Sequence, residues 1–128
     1  MVKQVMVGSK RYDVHQESIV LLDGEQVGAK FDGVTSTIIV AETLAEGAKP
    51  HALIHEVVHS ILFDGGYMEE NDNEKLVNDL AQQFILLIRQ NPRLIRYIQD
   101  TGTVDQATID SQSELDATLP LIGGDEDD

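Results

Sequence analysis

Apolar and polar positions follow two different rhythms along this chain. Up to residue 41 the apolar side chains come in short β-branched or alternating runs, at residues 5–7, 11–15 and 19–22, with the turn-forming pairs Asp23-Gly24 and Asp32-Gly33 among them. Residues 36–41, Ser-Thr-Ile-Ile-Val-Ala, form the strongest strand candidate. From Pro50 onward the spacing becomes helical. Pro50 suits the first position of a helix, expected to run to about Phe63 and to stop at Asp64-Gly65-Gly66. A second helix is expected from Asp72 or Asn73 to Arg89, and a third from Pro92, capped by Asn91, to about Asp100 ahead of Gly102. Strands followed by helices predict an α+β fold, a small and mainly antiparallel N-terminal sheet packed on about three C-terminal helices.

Composition narrows the chemistry. The 128 residues have room for one domain with its own core, and the absence of cysteine excludes a disulfide framework, a thiol nucleophile and an iron-sulfur cluster. Histidine and carboxylate remain as metal ligands. With 23 acidic against 9 basic side chains the formal charge is −14, which argues against binding nucleic acid, where affinity comes from clustered Lys and Arg. The charge is uneven: residues 104–128 carry eight acids and no base, leaving −6 for residues 1–103. This divides the chain into a domain, 1–103, and an acidic tail, 104–128, too polar to offset its ordering entropy by burial. The first residues lack a long apolar run, and none in the chain approaches the roughly 18 apolar residues of a membrane span. The expectation is a soluble, cytoplasmic protein with no membrane partner.

The residues that carry chemistry lie on the first predicted helix, as His55-Glu56-Val57-Val58-His59. Residues four apart share a helix face, so two imidazoles at this spacing reach one metal ion while the intervening Glu56 can hold a water beside it. On a helical wheel His51, His55, His59, Glu56 and Ser60 occupy one half, and Leu53, Ile54, Val57, Val58, Ile61 and Leu62 the other. The packing face is thus complete without the histidines. A zinc-hydrolase site needs a third protein ligand. Glu74, fifteen residues beyond His59, shares a face with Val77, Ala81, Phe84, Ile85 and Ile88, and a carboxylate leading such a stripe gains from a cation. Two other readings stand beside it: a capping box with Asn71 as cap and Glu74 three positions on, and Glu69 or Glu70 as the ligand. Tyr67, His51 and Tyr97 are candidate oxyanion donors, with Tyr67 placed in the catalytic set. His15, on a predicted strand, reads as structural or exposed.

The stretch Lys49-Pro50-His51-Ala52-Leu53-Ile54-His55-Glu56-Val57-Val58-His59-Ser60-Ile61-Leu62-Phe63, with Gly66-Tyr67, Glu74 to Ala81 and Ile88-Arg89-Gln90-Asn91-Pro92, resembles the small phage and prophage metallopeptidases of the ImmA/IrrE type, compact gluzincins related to the minigluzincins. The resemblance covers roughly residues 2–100 and leaves out the tail. It implies a zincin-like fold with one Zn(II) per chain on His55, His59 and Glu74, and Glu56 as general base and acid. It implies that Asn73 and Asn78 occupy the positions supporting the ligands, with Asn78 standing where larger gluzincins have an Asp. Residues 36–41 resemble the edge strand against which substrate lies extended in that family, through Thr37, Ile38, Ile39 and Val40, and read equally as an ordinary member of the sheet. The family suggests a transcriptional repressor as the polypeptide substrate.

Two functions follow from these residues: a zinc endopeptidase acting on a phage or host regulatory protein, or a zinc-binding pseudo-peptidase that serves as a protein-interaction module without turnover. Glu56 favours the enzyme, because a structural zinc site has no need of it. Asn78 and the tail favour the module. The apolar island at residues 118–122 suggests self-interaction of the tail with the active-site cleft, against the alternative of a disordered solubilising segment.

Overall fold

The computed structural model describes residues 1–102, so the acidic tail, including the island at residues 118–122 and its expected self-interaction, lies outside the described residues. The chain divides into two units, Met1–Asn91 and Pro92 onward. The first holds six strands: β1 (Gln4–Val7), β2 (Lys10–Glu17), β3 (Val20–Leu22), β4 (Glu25–Val27), β5 (Ala29–Asp32) and β6 (Thr37–Ala41). A one-turn 3-10 segment (Glu46–Ala48) then leads into α1 (Lys49–Gly65), α2 (Met68–Asn71) and α3 (Glu74–Gln90). The second unit contributes α4 (Pro92–Asp100). The architecture is α+β, with four helices among the described residues rather than three. The short α2 was missed because Tyr67-Met68-Glu69-Glu70 carries no helical period long enough to read.

Four strands form one sheet in the order β1-β2-β6-β5, and β3 with β4 forms a separate hairpin. Pairing is antiparallel at β1–β2 and β5–β6 and parallel at β2–β6. The chain between the parallel strands supplies the hairpin and β5. Asp23 and Gly24, both at positive φ, make the two-residue turn between Leu22 and Glu25, a conformation that Asp-Gly adopts readily. Asp32 Oδ1 accepts hydrogen bonds from the backbone N–H groups of Val34 (2.9 Å) and Thr35 (3.2 Å), which turns the chain from β5 into β6. Ser36 sits at φ 54°, so β6 starts one residue later than its sequence suggests.

Of the two readings of residues 36–41, the sheet member holds and the substrate-binding edge is overturned. The strand through Thr37, Ile38, Ile39 and Val40 is interior: β2 pairs with it on one side and β5 on the other, and Ile38 and Val40 are fully buried. Its main-chain groups are committed on both sides, so it has no edge to offer a substrate. Among the described residues the edge on that side belongs to β5, which sequence reasoning did not find because Ala-Lys-Phe-Asp lacks a β-branched run.

Helix α1 lies between two apolar layers. Its Ala52, Leu53 and Val57 pack against a sheet cluster of Val7, Tyr12, Val14, Ile38 and Val40, and its Val58 joins Val77 and Ala81 of α3, flanked by Ile54 and Leu62. Being covered on two sides, α1 buries more than half a wheel. Ser60 is fully buried, its hydroxyl donating to the Val57 carbonyl at 2.7 Å, whereas Ile61 is half exposed. Gly66, at φ 78°, ends the helix in the left-handed conformation that glycine tolerates best. The stripe on α3 is buried only at Val77 and Ala81; Phe84 and Ile88 are exposed.

Candidate metal centre

The stacking of α1 against α3 brings the chemistry together. His55 and His59, one turn apart on α1, hold their rings 4.9 Å apart and tilted by 64°. The face of His59 runs parallel to the Phe31 ring of β5 at 6.3 Å, which limits how that imidazole can turn. Opposite them α3 begins. Its N-cap is Asn73, whose side-chain oxygen accepts from the Leu76 N–H at 3.1 Å, so the helix starts with Glu74 as its first residue. The capping box on Asn71 is therefore not formed. Asn73 supports the helix end rather than a histidine, and Glu74 is left free to reach across: Oε1 lies 3.0 Å from His55 Nε2, and Oε2 lies 3.0 Å from His59 Nε2. The Glu74 side chain is 66 % exposed, so the histidines account for its position and burial does not.

The far side of each imidazole is fixed by an amide. His55 Nδ1 donates to Asn78 Oδ1 at 3.1 Å, as expected for Asn78. His59 Nδ1 donates to Asn71 Oδ1 at 2.6 Å, a partner that sequence reasoning assigned to capping. An amide oxygen only accepts, so Nδ1 of each ring is the atom turned to an amide and Nε2 the atom turned to Glu74. The two Nε2 atoms and the Glu74 carboxylate thus converge on one point, where they contact each other directly and where a cation would take all three as donors. Ligand atoms of His55, His59 and Glu74 all fall within 4.8 Å of one another, and this group can hold a metal ion. Donors about 2.0–2.1 Å from a tetrahedral ion stand roughly 3.3 Å apart, so 3.0 Å contacts need to open by only a few tenths of an ångström. Two imidazoles and one carboxylate suit a divalent cation with a position left for water.

Glu56 lies beside this group and is 7 % exposed. Burial pushes its carboxyl up to about 7, the charge of Glu74 adds to the rise, and His59 opposes it. Glu56, His55, His59 and Glu74 all line one open cleft of about 680 Å³, bordered by β5 through Ala29, Lys30 and Phe31. That volume is within the range of ligand-binding clefts.

The other candidates separate. His51 lines the cleft one turn before His55, with its ring 6.3 Å from that of His55. Tyr67 is not brought to the cleft; its ring lies over Gly65, where an added Cβ would come within 2.8 Å of it. Glu69 and Glu70 are exposed on α2 and stand outside the metal-binding group. His15 is exposed on β2, and Tyr97 is exposed on α4 in the second unit. The signal that could have found Asn71 is weak: an Asx-rich loop ahead of a helix start offers several amides, and only the fold selects one.

No protein-family model, curated protein or solved structure matches this chain. Among the described residues no helix is long and apolar enough to cross a membrane.

Proposed function

We propose that this protein is a zinc-dependent endopeptidase of zincin type that cleaves extended polypeptide segments. The observation that carries the reading is the convergence of the His55 and His59 Nε2 atoms and the Glu74 carboxylate beside the buried Glu56, in a cleft bordered by β5, an edge strand among the described residues. The donor set fits Zn(II), which when bound supplies a Lewis acid for the scissile carbonyl and lowers the pKa of water at that position. The chain supplies the rest. Asn78 and Asn71 hold His55 and His59 in the tautomer that binds a metal. Glu56 takes a proton from the attacking water and returns it to the leaving amine. His51, lining the same cleft, replaces Tyr67 as the donor towards the carbonyl oxygen. The outer edge of β5, unpaired among the described residues, receives the substrate as an added strand, in place of the interior β6. The family resemblance supports the same reading, with a cytoplasmic regulatory protein such as a repressor as substrate.

One observation favours the second reading, a zinc-binding module without turnover. Both metal-facing histidines lean on neutral amides, and neither gains the basicity that a carboxylate partner would lend. Incubation of the zinc-loaded protein with denatured casein separates the two. The peptidase reading expects new peptide termini that vanish on chelation and return with added zinc. Intact casein beside a fully loaded protein would contradict the peptidase reading and leave the module standing.

A further inference from the structure

We propose that the β3–β4 hairpin is the specificity element of the cleft, and that its Leu22 selects substrates carrying a large apolar side chain beside the segment that adds to β5. The inference rests on the reading of the cleft as a polypeptide-binding site and names the class of polypeptide it takes.

The hairpin's alternation decides which residues face the cleft. Val20 pairs with Val27, Leu21 with Gln26 and Leu22 with Glu25. Side chains directly opposite share a face and successive ones alternate, so Val20, Leu22, Glu25 and Val27 lie on one face and Leu21 and Gln26 on the other. Val20 is 1 % exposed and anchors the root of that face, while Leu22 and Val27 line the cleft. Leu22 nonetheless leaves half its surface in water, and Leu21 on the outer face is exposed to the same degree.

The hairpin is also held in place. Lys30 of β5 donates through Nζ to the Leu21 carbonyl at 3.0 Å. The Gly28 carbonyl, between β4 and β5, accepts from the Ala41 N–H at 2.8 Å, and Leu44 packs over Gly28. A pre-positioned apolar side chain at the mouth of a cleft loses little freedom on binding, so its burial is gained almost in full. Ala29, Phe31 and Ala52, with Lys30 among them, carry the mainly apolar lining on from the hairpin, whereas Asn71 and Asp72 at the α2 side are polar. A substrate strand along β5 thus meets an apolar end at the hairpin and a polar end at α2. Burying one leucine or phenylalanine against Leu22, Val27 and Ala29 is worth about tenfold in affinity over serine.

Binding can be read without turnover, on the zinc-loaded Glu56→Gln protein. Fluorescein-labelled decapeptides of Ala, Ser and Gly, with a single Leu or Phe moved through every position, are titrated by anisotropy. The expected result is one register in which Leu or Phe binds about tenfold tighter than Ser. Leu22→Ala should cut that preference to about threefold and Leu22→Asp should abolish it, while Leu21→Ala, the same change on the outer face, leaves it intact. Zinc content checks that each variant retains its fold. A preference that survives both Leu22 changes, or equal binding at every register, would overturn the proposal. Leucine-dependent binding alongside no cleavage by the wild-type protein would defeat the peptidase reading and leave the hairpin's role standing. Cleavage that ignores Leu22 would do the reverse, and no binding of any peptide would overturn the hairpin's role while leaving the peptidase reading to the cleavage of denatured protein.

Discussion

Replacing Glu56 by Gln in the metal-free protein should stabilise it, by an amount that depends on pH. The Glu56 carboxyl is held at about 7 against an ordinary value of 4.5, chiefly by burial. The folded state therefore prefers the protonated form. Stability from this group is complete below about pH 4.5, falls as the pH rises towards 7, and stays low above it. The gap between about 7 and 4.5 is worth about 3 kcal/mol at roughly 1.4 kcal/mol per tenfold change in proton affinity. Gln keeps the shape and carries no charge, so Glu56→Gln should change little at pH 4.5 and gain up to about 3 kcal/mol at pH 8. For a domain of this size that is a rise in melting temperature of about 10–20 °C. Saturating zinc should shrink the difference, because a cation facing Glu56 favours its charged form. Thermal unfolding of both proteins across pH 4.5 to 8, with chelator and then with zinc, measures this directly. A difference that stays flat with pH would refute the claim that Glu56 is a buried, uncompensated carboxylate.

The remaining expectations concern the metal group and its supports. Glu74→Ala should lose zinc affinity by more than a hundredfold in a competitive chelator titration, whereas Glu69→Ala and Glu70→Ala should stay within about 0.5 kcal/mol of wild type in stability. Asn71→Ala and Asn78→Ala should each weaken zinc about 10–100-fold, with the Nδ1–H resonance of the corresponding histidine exchanging faster with solvent. Gly66→Ala should cost about 1 kcal/mol by chemical denaturation, since φ 78° is strained for any residue with a Cβ.

What could be read from the chain depended on how local the signal was. The histidine pair, the intervening Glu56 and the helix carrying them follow from spacing over a few residues, and α1 extends only a residue or two beyond its expected ends. The helix holding Glu74 was visible because seventeen residues keep one period. The errors are all relational. Nothing within residues 36–41 says that β5 would cover one side of that strand, because β5 is four residues with no β-branched side chain. Asn71 and Asn73 are chemically alike and two positions apart, and only the packing of α3 on α1 gives one to a histidine and the other to a helix end. Tyr67 reads from the sequence either as an oxyanion donor or as packing after the glycine turn, and its ring lies on Gly65, as the packing reading has it.

The central claim is that His55, His59 and Glu74 hold a catalytic zinc for which Glu56 moves the proton. The most direct measurement is cleavage of one denatured protein substrate by wild-type and Glu56→Gln proteins, each shown to contain one zinc per chain, with the products read by mass spectrometry. The account expects new internal termini with the wild type and a loss of at least a thousandfold in rate with Glu56→Gln. Equal cleavage by the two, or none by a fully loaded wild type, would contradict it.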